Sequence, residues 1–121
     1  MKLAIALLAC CLALGCQKGT VSYREQIQPI LNERCIRCHT AENPMGKIVL
    51  TSYETLVASK TVSGKGALFL AGEPQDSRLY ILCATSQLHF RMPPDTTTIT
   101  PLSPKDLEVL RDWIRQGGKD N

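Results

Sequence analysis

Several features that mark other protein classes are scarce or missing in this chain of 121 residues. It has only two histidines, no stretch in which apolar and polar residues alternate with period two, and no cluster of lysine and arginine without interspersed acids. The missing alternation argues against a β-sheet, and the scattered basic residues argue against a nucleic-acid-binding stripe. The length also excludes a large multidomain enzyme, which leaves one small domain.

Apolar residues are scarcer in most of the chain than the overall composition suggests. They make up 44% of the whole sequence but only about 38% of the residues from Cys16 onward, because 13 of them lie in the first 15 residues. A domain of about 100 residues buries a small share of its surface and often needs a disulfide, a metal or a cofactor. We therefore expect one domain with few apolar core residues, stabilised by a disulfide, a metal or a cofactor.

The first 15 residues are typical of a bacterial export signal. Lys2 supplies a positive charge, and residues 3–14 form an uncharged apolar run. A run of this length is too short to span a bilayer comfortably, but it suits the core of a signal peptide. We predict that residues 1–15 are removed from an exported protein.

The apolar run ends at a sequence similar to the box at which bacterial lipoproteins are cleaved and lipidated. In Ala13-Leu14-Gly15-Cys16 a small residue precedes a cysteine, and polar residues follow. We expect lipid on Cys16 to tether the protein to the extracytoplasmic side of a membrane, with residues 16–21 as a short linker. In some bacteria an acidic residue directly after the lipidated cysteine retains a lipoprotein at the inner membrane. This chain has Gln17 at that position, which favours the outer membrane. Simple secretion and an uncleaved anchor are the alternatives.

The number of cysteines from Cys35 onward is odd, because the only others are Cys38 and Cys83. An exported protein cannot pair all three in disulfides within one chain. Cys35, Cys38 and His39 form the pattern C-x-x-C-H, which is the attachment signature for c-type haem. Two thiols one helical turn apart can add to the two vinyl groups of the porphyrin, and the adjacent imidazole is then placed beneath the iron. We predict two thioethers and His39 as the proximal iron ligand.

Two other interpretations use the same cysteines. A thioredoxin-like redox pair lacks the surrounding βαβ pattern and leaves His39 unexplained. A zinc site could combine Cys35, Cys38 and His39 with Cys83 or His89, but the second closely spaced pair of ligands is missing. Cys83 itself is expected to be a small buried apolar residue, with an intermolecular or redox role as the alternative.

Met92 is the predicted distal ligand on the opposite face of the haem. It precedes Pro93 and Pro94, and consecutive prolines stiffen the loop that would hold the sulfur. Met45 is only six residues past His39, too close to reach easily over the porphyrin edge. His89 and an open iron position are the alternatives to Met92.

The helix signals predict short helices along the chain. Ser22 and Glu25 have capping-box spacing, so a helix should lead into Cys35, with Pro29 either kinking it or lying in its first turn. Further helices are expected from Thr51 or Ser52, from about Gln75 to Cys83, and from Ser103-Pro104 to a stop at Gly117-Gly118.

Four blocks in order resemble a known family. They are residues 27–31 running into the C-x-x-C-H motif, residues 72–79, Met92-Pro93-Pro94 and residues 110–117. Residues 23–118 look like a small class I cytochrome c domain and are most similar to planctomycete-type cytochrome c domains. The resemblance implies an all-α fold with three to five short helices around one covalent haem and crossing first and last helices. Trp113 would pack near Ile30 or the porphyrin edge. The domain is assigned to residues 22–118, with residues 119–121 as a tail.

His–Met ligation would leave no open iron position, which suits a single-electron carrier rather than an enzyme. Arg37, Arg78 and Arg91 are candidates to pair with the haem propionates, and the expected partners are redox proteins. A small haem enzyme or gas sensor with a labile distal Met92 is the first alternative, and a zinc-binding or structural lipoprotein is the second.

Overall fold

The computed structural model describes residues 18–61 and 66–121. The predicted signal peptide and the lipidation of Cys16 lie outside these residues. Four α-helices occur in the described part of the chain, with no strand and only two isolated β-bridges, so the all-α expectation is confirmed. None of the described helices is long and apolar enough to cross a membrane. The helices are α1 (Gln28–Arg34), α2 (Tyr53–Ala58), α3 (Arg78–Ala84) and α4 (Pro104–Arg115).

The helix expected after Ser22 has two parts. A π-helical turn, Tyr23–Ile27, comes first and α1 continues from it. The Ser22 side chain caps this start by accepting from the Glu25 backbone N–H at 3.2 Å. Pro29 lies in the first turn of α1. The π-helical turn ends at Ile27, two residues before Pro29, so the missing N–H of Pro29 falls at the junction of the two helical segments.

The predicted last helix, α4, is present, and the residues predicted to begin and end it do so in the structure. The Ser103 hydroxyl accepts from the Asp106 N–H at 3.1 Å, and the Asp106 carboxylate accepts from the Ser103 N–H at 3.2 Å. Gly117 and Gly118 follow the helix with φ values of 106° and 58°. Such left-handed conformations favour glycine, and they end the helix as its sequence predicts.

Trp113 on α4 lies at the centre of an aromatic cluster. It is 1% exposed, and its ring centroid is 5.1 Å from Phe69, 5.5 Å from Tyr23 and 6.5 Å from Tyr53. The indole N–H donates to the Lys119 carbonyl at 2.9 Å. The last helix thus packs against the π-helical turn that precedes α1. The rest of the buried apolar core includes Ile27, Leu31, Leu50, Leu56, Leu68, Leu79, Cys83, Leu102, Leu110 and Ile114.

Candidate functional site

The C-x-x-C-H motif forms a turn that continues from the end of α1. The Cys35 N–H donates to the Leu31 carbonyl at 2.8 Å, which is the bond of a further helical turn. The Cys35 carbonyl then accepts from the N–H groups of Cys38 at 3.1 Å and His39 at 3.2 Å. Both thiols and the imidazole therefore belong to one backbone turn, as the motif predicts.

The His39 ring is held in one tautomer by a backbone carbonyl. Its Nδ1 atom lies 3.0 Å from the Met45 carbonyl oxygen. Because a carbonyl oxygen only accepts, Nδ1 must carry the proton, and in the neutral imidazole Nε2 then has the free lone pair. A carbonyl on the second ring nitrogen is the usual support of a histidine that ligates a metal through the other nitrogen.

The loop after His39 keeps this carbonyl in place. The Met45 N–H donates to the Cys38 carbonyl at 3.0 Å, and the Leu50 N–H donates to the His39 carbonyl at 2.9 Å. Gly46 adopts a φ of 65° in the turn that directly follows Met45. The sequence did not indicate this role for Met45, since any residue could supply a backbone carbonyl and only the loop conformation selects which one does.

Cys35 and Cys83 are free thiols; Cys83 belongs to the buried apolar core, and Cys35 packs against that core. Burial raises the pKa of Cys35 to about 12, and burial together with the charge of Cys35 raises the pKa of Cys83 to about 12. Cys83 is 7% exposed, which confirms the expectation of a buried residue. The C-terminal end of α3 and the start of the C-x-x-C-H turn therefore pack into the same apolar core.

Met92 is attached to the same end of α3. Its N–H donates to the Leu82 carbonyl at 2.8 Å, one residue before Cys83. Pro93 is buried, whereas the Met92 side chain is 36% exposed. The helix α3 thus holds the Met92 segment through the Leu82 carbonyl and places Cys83 in the core against which Cys35 packs.

Arg91 differs from the other two arginines singled out in the sequence. Its Nε atom is buried and has no hydrogen-bond partner, and among the described residues it is the single buried side-chain nitrogen or oxygen in that state. Arg37 and Arg78 are exposed, and so is His89. A buried polar atom without a partner is costly, so Arg91 is the arginine that most needs an added acceptor.

Large apolar side chains remain exposed next to these residues. Met45 is 55% exposed in the His39 loop, and Leu88 and Phe90 are 48% and 62% exposed just before Arg91 and Met92. No group of three or more His, Cys, Asp or Glu side chains arranged to hold a metal ion occurs within the described ranges.

Comparison with known proteins gives one match. The family model described as Planctomycete cytochrome C matches residues 35–96, just over half of the chain. The matched segment begins at the first motif cysteine and contains Met92. No curated protein and no solved structure shows a significant match.

Proposed function

The chain belongs to the planctomycete cytochrome c family, and we propose that it is a monohaem electron carrier tethered to the extracytoplasmic face of a membrane. The observation that carries this proposal is the hydrogen bond from His39 Nδ1 to the Met45 carbonyl. It leaves Nε2 free to bind iron, directly after two cysteines with the spacing for thioether attachment.

The residues present fit a covalently bound haem in three respects. The motif turn supplies two free thiols and a histidine in the tautomer that ligation needs. The apolar side chains of Met45, Leu88 and Phe90 are each exposed in the segments that carry His39, Arg91 and Met92, so a porphyrin bound there could cover them. The buried Nε of Arg91 needs an acceptor, which a haem propionate would provide.

Each residue then has a distinct role toward this group. Cys35 and Cys38 would hold it by thioether bonds, and His39 would ligate the iron with its ring orientation fixed by the Met45 carbonyl. Met92 would be the second axial ligand, on a segment anchored to α3 through the Leu82 carbonyl. When bound, haem c supplies reversible one-electron chemistry between its ferric and ferrous forms.

Two protein ligands also explain why we propose a carrier and not an enzyme. With His39 and Met92 both bound, no iron position is open to a substrate, and a histidine–methionine pair favours a high reduction potential. Electrons would pass to and from redox protein partners. The family places the chain among cytochrome c domains, which are typically extracytoplasmic; the lipid on Cys16 is our proposal from the sequence motif.

The function is tested by maturing the full chain in bacteria that attach haem and then titrating it electrochemically. We expect a pyridine haemochrome spectrum of covalent haem, a reversible one-electron transition, and no carbon monoxide binding to the ferrous protein. Ready carbon monoxide binding would favour the sensor or enzyme alternative. Absence of covalent haem would contradict the cytochrome proposal altogether.

Replacing Arg91 with glutamine should lower the reduction potential of the holoprotein by on the order of tens of millivolts. Removing a positive charge beside the haem favours the more positive ferric state, and the loss is greatest where the charge is partly buried. Arg78→Gln is the matched control, since its exposed side chain should change the potential much less. Equal shifts in the two variants would show that Arg91 has no special contact with the haem.

Cys83 in the folded holoprotein should resist thiol reagents. Burial raises its pKa from 9.0 to about 12, which lowers the thiolate fraction at neutral pH by about a thousandfold. In a chain that starts at Gln17, a chromogenic disulfide reagent should detect no thiol in the native protein and one after unfolding in guanidinium. Three thiols after unfolding would mean that Cys35 and Cys38 carry no haem, and rapid native labelling would contradict the burial of Cys83.

A further inference from the structure

The residues that precede α1 are attached to the end of α4. The Gln116 side chain accepts from the Val21 N–H at 2.8 Å and donates to the Gly19 carbonyl at 3.2 Å. Residues 18–21, which the sequence suggested as part of a linker, are therefore hydrogen-bonded to the domain from Gly19 onward.

Asn121 adds a second set of contacts to the same segment. Its side chain accepts from the Tyr23 N–H at 2.9 Å and donates to the Val21 carbonyl at 3.1 Å. Its backbone carbonyl accepts from the Arg24 N–H at 3.0 Å and from the Ser22 hydroxyl at 2.9 Å. We call residues 18–24 together with α4 and residues 116–121 the terminal clamp.

Lys18 extends the terminal clamp along α4 through ion pairs. Its ammonium group pairs with Glu108 and, at 3.1 Å, with Asp112. Asp112 is buried and is also paired with Arg111 at 3.3 Å and Arg115 at 3.1 Å. Burial raises the pKa of Asp112, but hydrogen bonds from Lys18 and Arg111 outweigh it and lower the pKa below its ordinary value. These pairs are thus fully charged at neutral pH.

The terminal clamp fixes the domain close to the proposed lipid. Cys16 is two residues before Lys18, and two extended residues span at most about 7 Å. The headgroup layer of one bilayer leaflet is about 5–8 Å thick. With acyl chains on Cys16 inserted in the bilayer, the two-residue tether would be no longer than the headgroup layer is thick. Lys18 and the adjacent face of α4 would therefore lie at the headgroups.

The charge of the terminal clamp suits an anionic lipid surface. The positively charged side chains exceed the acidic ones by two, and Lys18 and Arg115 keep 57% and 56% of their side-chain surface exposed. Basic residues next to a membrane are attracted to anionic headgroups. The charged residues of the clamp in this count are Lys18, Arg24, Lys105, Arg111, Arg115, Lys119, Asp106, Glu108, Asp112 and Asp120.

We propose that the terminal clamp is a membrane-docking face that holds the domain in one orientation on a bilayer containing anionic phospholipid. The inference rests on the proposed lipidation of Cys16 and on the proposed haem. A fixed orientation would give the haem plane a constant tilt, so that the same edge of the domain always faces a redox partner beside the membrane.

Polarised absorption of the lipidated holoprotein in aligned phosphatidylcholine–phosphatidylglycerol bilayers tests the proposal. We expect a dichroic haem band for the natural chain. Inserting about ten Gly and Ser residues between Gln17 and Lys18 gives a tether of roughly 17 Å, longer than the headgroup layer. This variant should stay membrane-bound with unchanged haem absorption but lose its dichroism in bilayers of phosphatidylcholine alone, where the charge of the clamp has no counterpart. Absence of dichroism from the natural chain bound to the mixed bilayers, or dichroism of the insertion variant that survives without phosphatidylglycerol, would overturn the docking face.

A second measurement, which does not depend on haem, distinguishes failure of the docking proposal from failure of the lipidation or cytochrome proposals. Lys105 is exposed on α4, seven residues before Asp112 and so on the same helix face. A nitroxide on Lys105→Cys should be protected from a water-soluble relaxing agent in the natural chain, unlike one on Glu42→Cys in the His39 loop. Equal access at the two sites would contradict docking. A chain that fails to bind bilayers would contradict lipidation, and a membrane-bound chain without a haem band would contradict only the cytochrome proposal.

Discussion

Replacing Met92 with alanine should leave the haem covalently attached but lower its reduction potential by on the order of 0.1 V, within the roughly 0.8 V range that axial ligands span. The two thioethers do not depend on Met92, because Cys35 and Cys38 lie in a separate turn that continues from α1. Loss of the thioether sulfur would remove the ligand that favours the ferrous state and would open one iron position. Ferrous Met92→Ala should therefore bind carbon monoxide, as measured by its visible absorption.

Met45→Ala is the matched control for this variant. The Met45 side chain is 55% exposed, and its contact with His39 uses the backbone carbonyl, which alanine keeps. We expect the potential and the absorption spectrum of Met45→Ala to remain close to those of the natural protein. An unchanged spectrum in Met92→Ala, or carbon monoxide binding in Met45→Ala alone, would remove Met92 from the iron.

The chain that cannot attach haem should be largely unfolded between residues 22 and 118. In Cys35→Ala/Cys38→Ala the helices must form without a covalent porphyrin, and α1, α2 and α3 contain only six or seven residues each. Isolated helices shorter than about 12–15 residues are marginal in water, so they depend on tertiary packing. Far-ultraviolet circular dichroism should show most of the helical signal lost, with no cooperative thermal transition.

Cys83→Ser is the control that tests whether loss of a cysteine, without loss of the haem attachment, unfolds the domain. Cys83 is buried but carries no predicted bond to haem, so this variant should keep its haem absorption and its cooperative melting, at a somewhat lower temperature. Native-like helicity and cooperative melting in Cys35→Ala/Cys38→Ala would show that the core of the domain is sufficient without the cofactor. Failure of Cys83→Ser to retain haem would instead assign Cys83 a direct part in the site.

Much of the fold could be predicted because its signals are local. The start of α4 depends on Ser103, Pro104 and Asp106, which contact one another within four residues. The helical start at Ser22 is similarly local, but the π-helical turn before Pro29 was not predicted. Tyr23, the first residue of this turn, packs against Trp113, and that contact joins residues 90 positions apart.

The sequence by itself determined the all-α class and the family, and it predicts the chemistry of the C-x-x-C-H turn, because each depends on residue types at fixed short spacing. Only the tertiary structure decided that the Met45 carbonyl orients His39, that Arg91 is the arginine with a buried unpaired nitrogen, and that Cys83 lies in the core against which Cys35 packs. It also decided that residues before α1 are attached to α4 and Asn121. The physical reason is that backbone carbonyls and burial carry no residue-specific signal. They acquire a role only when the chain brings distant segments together.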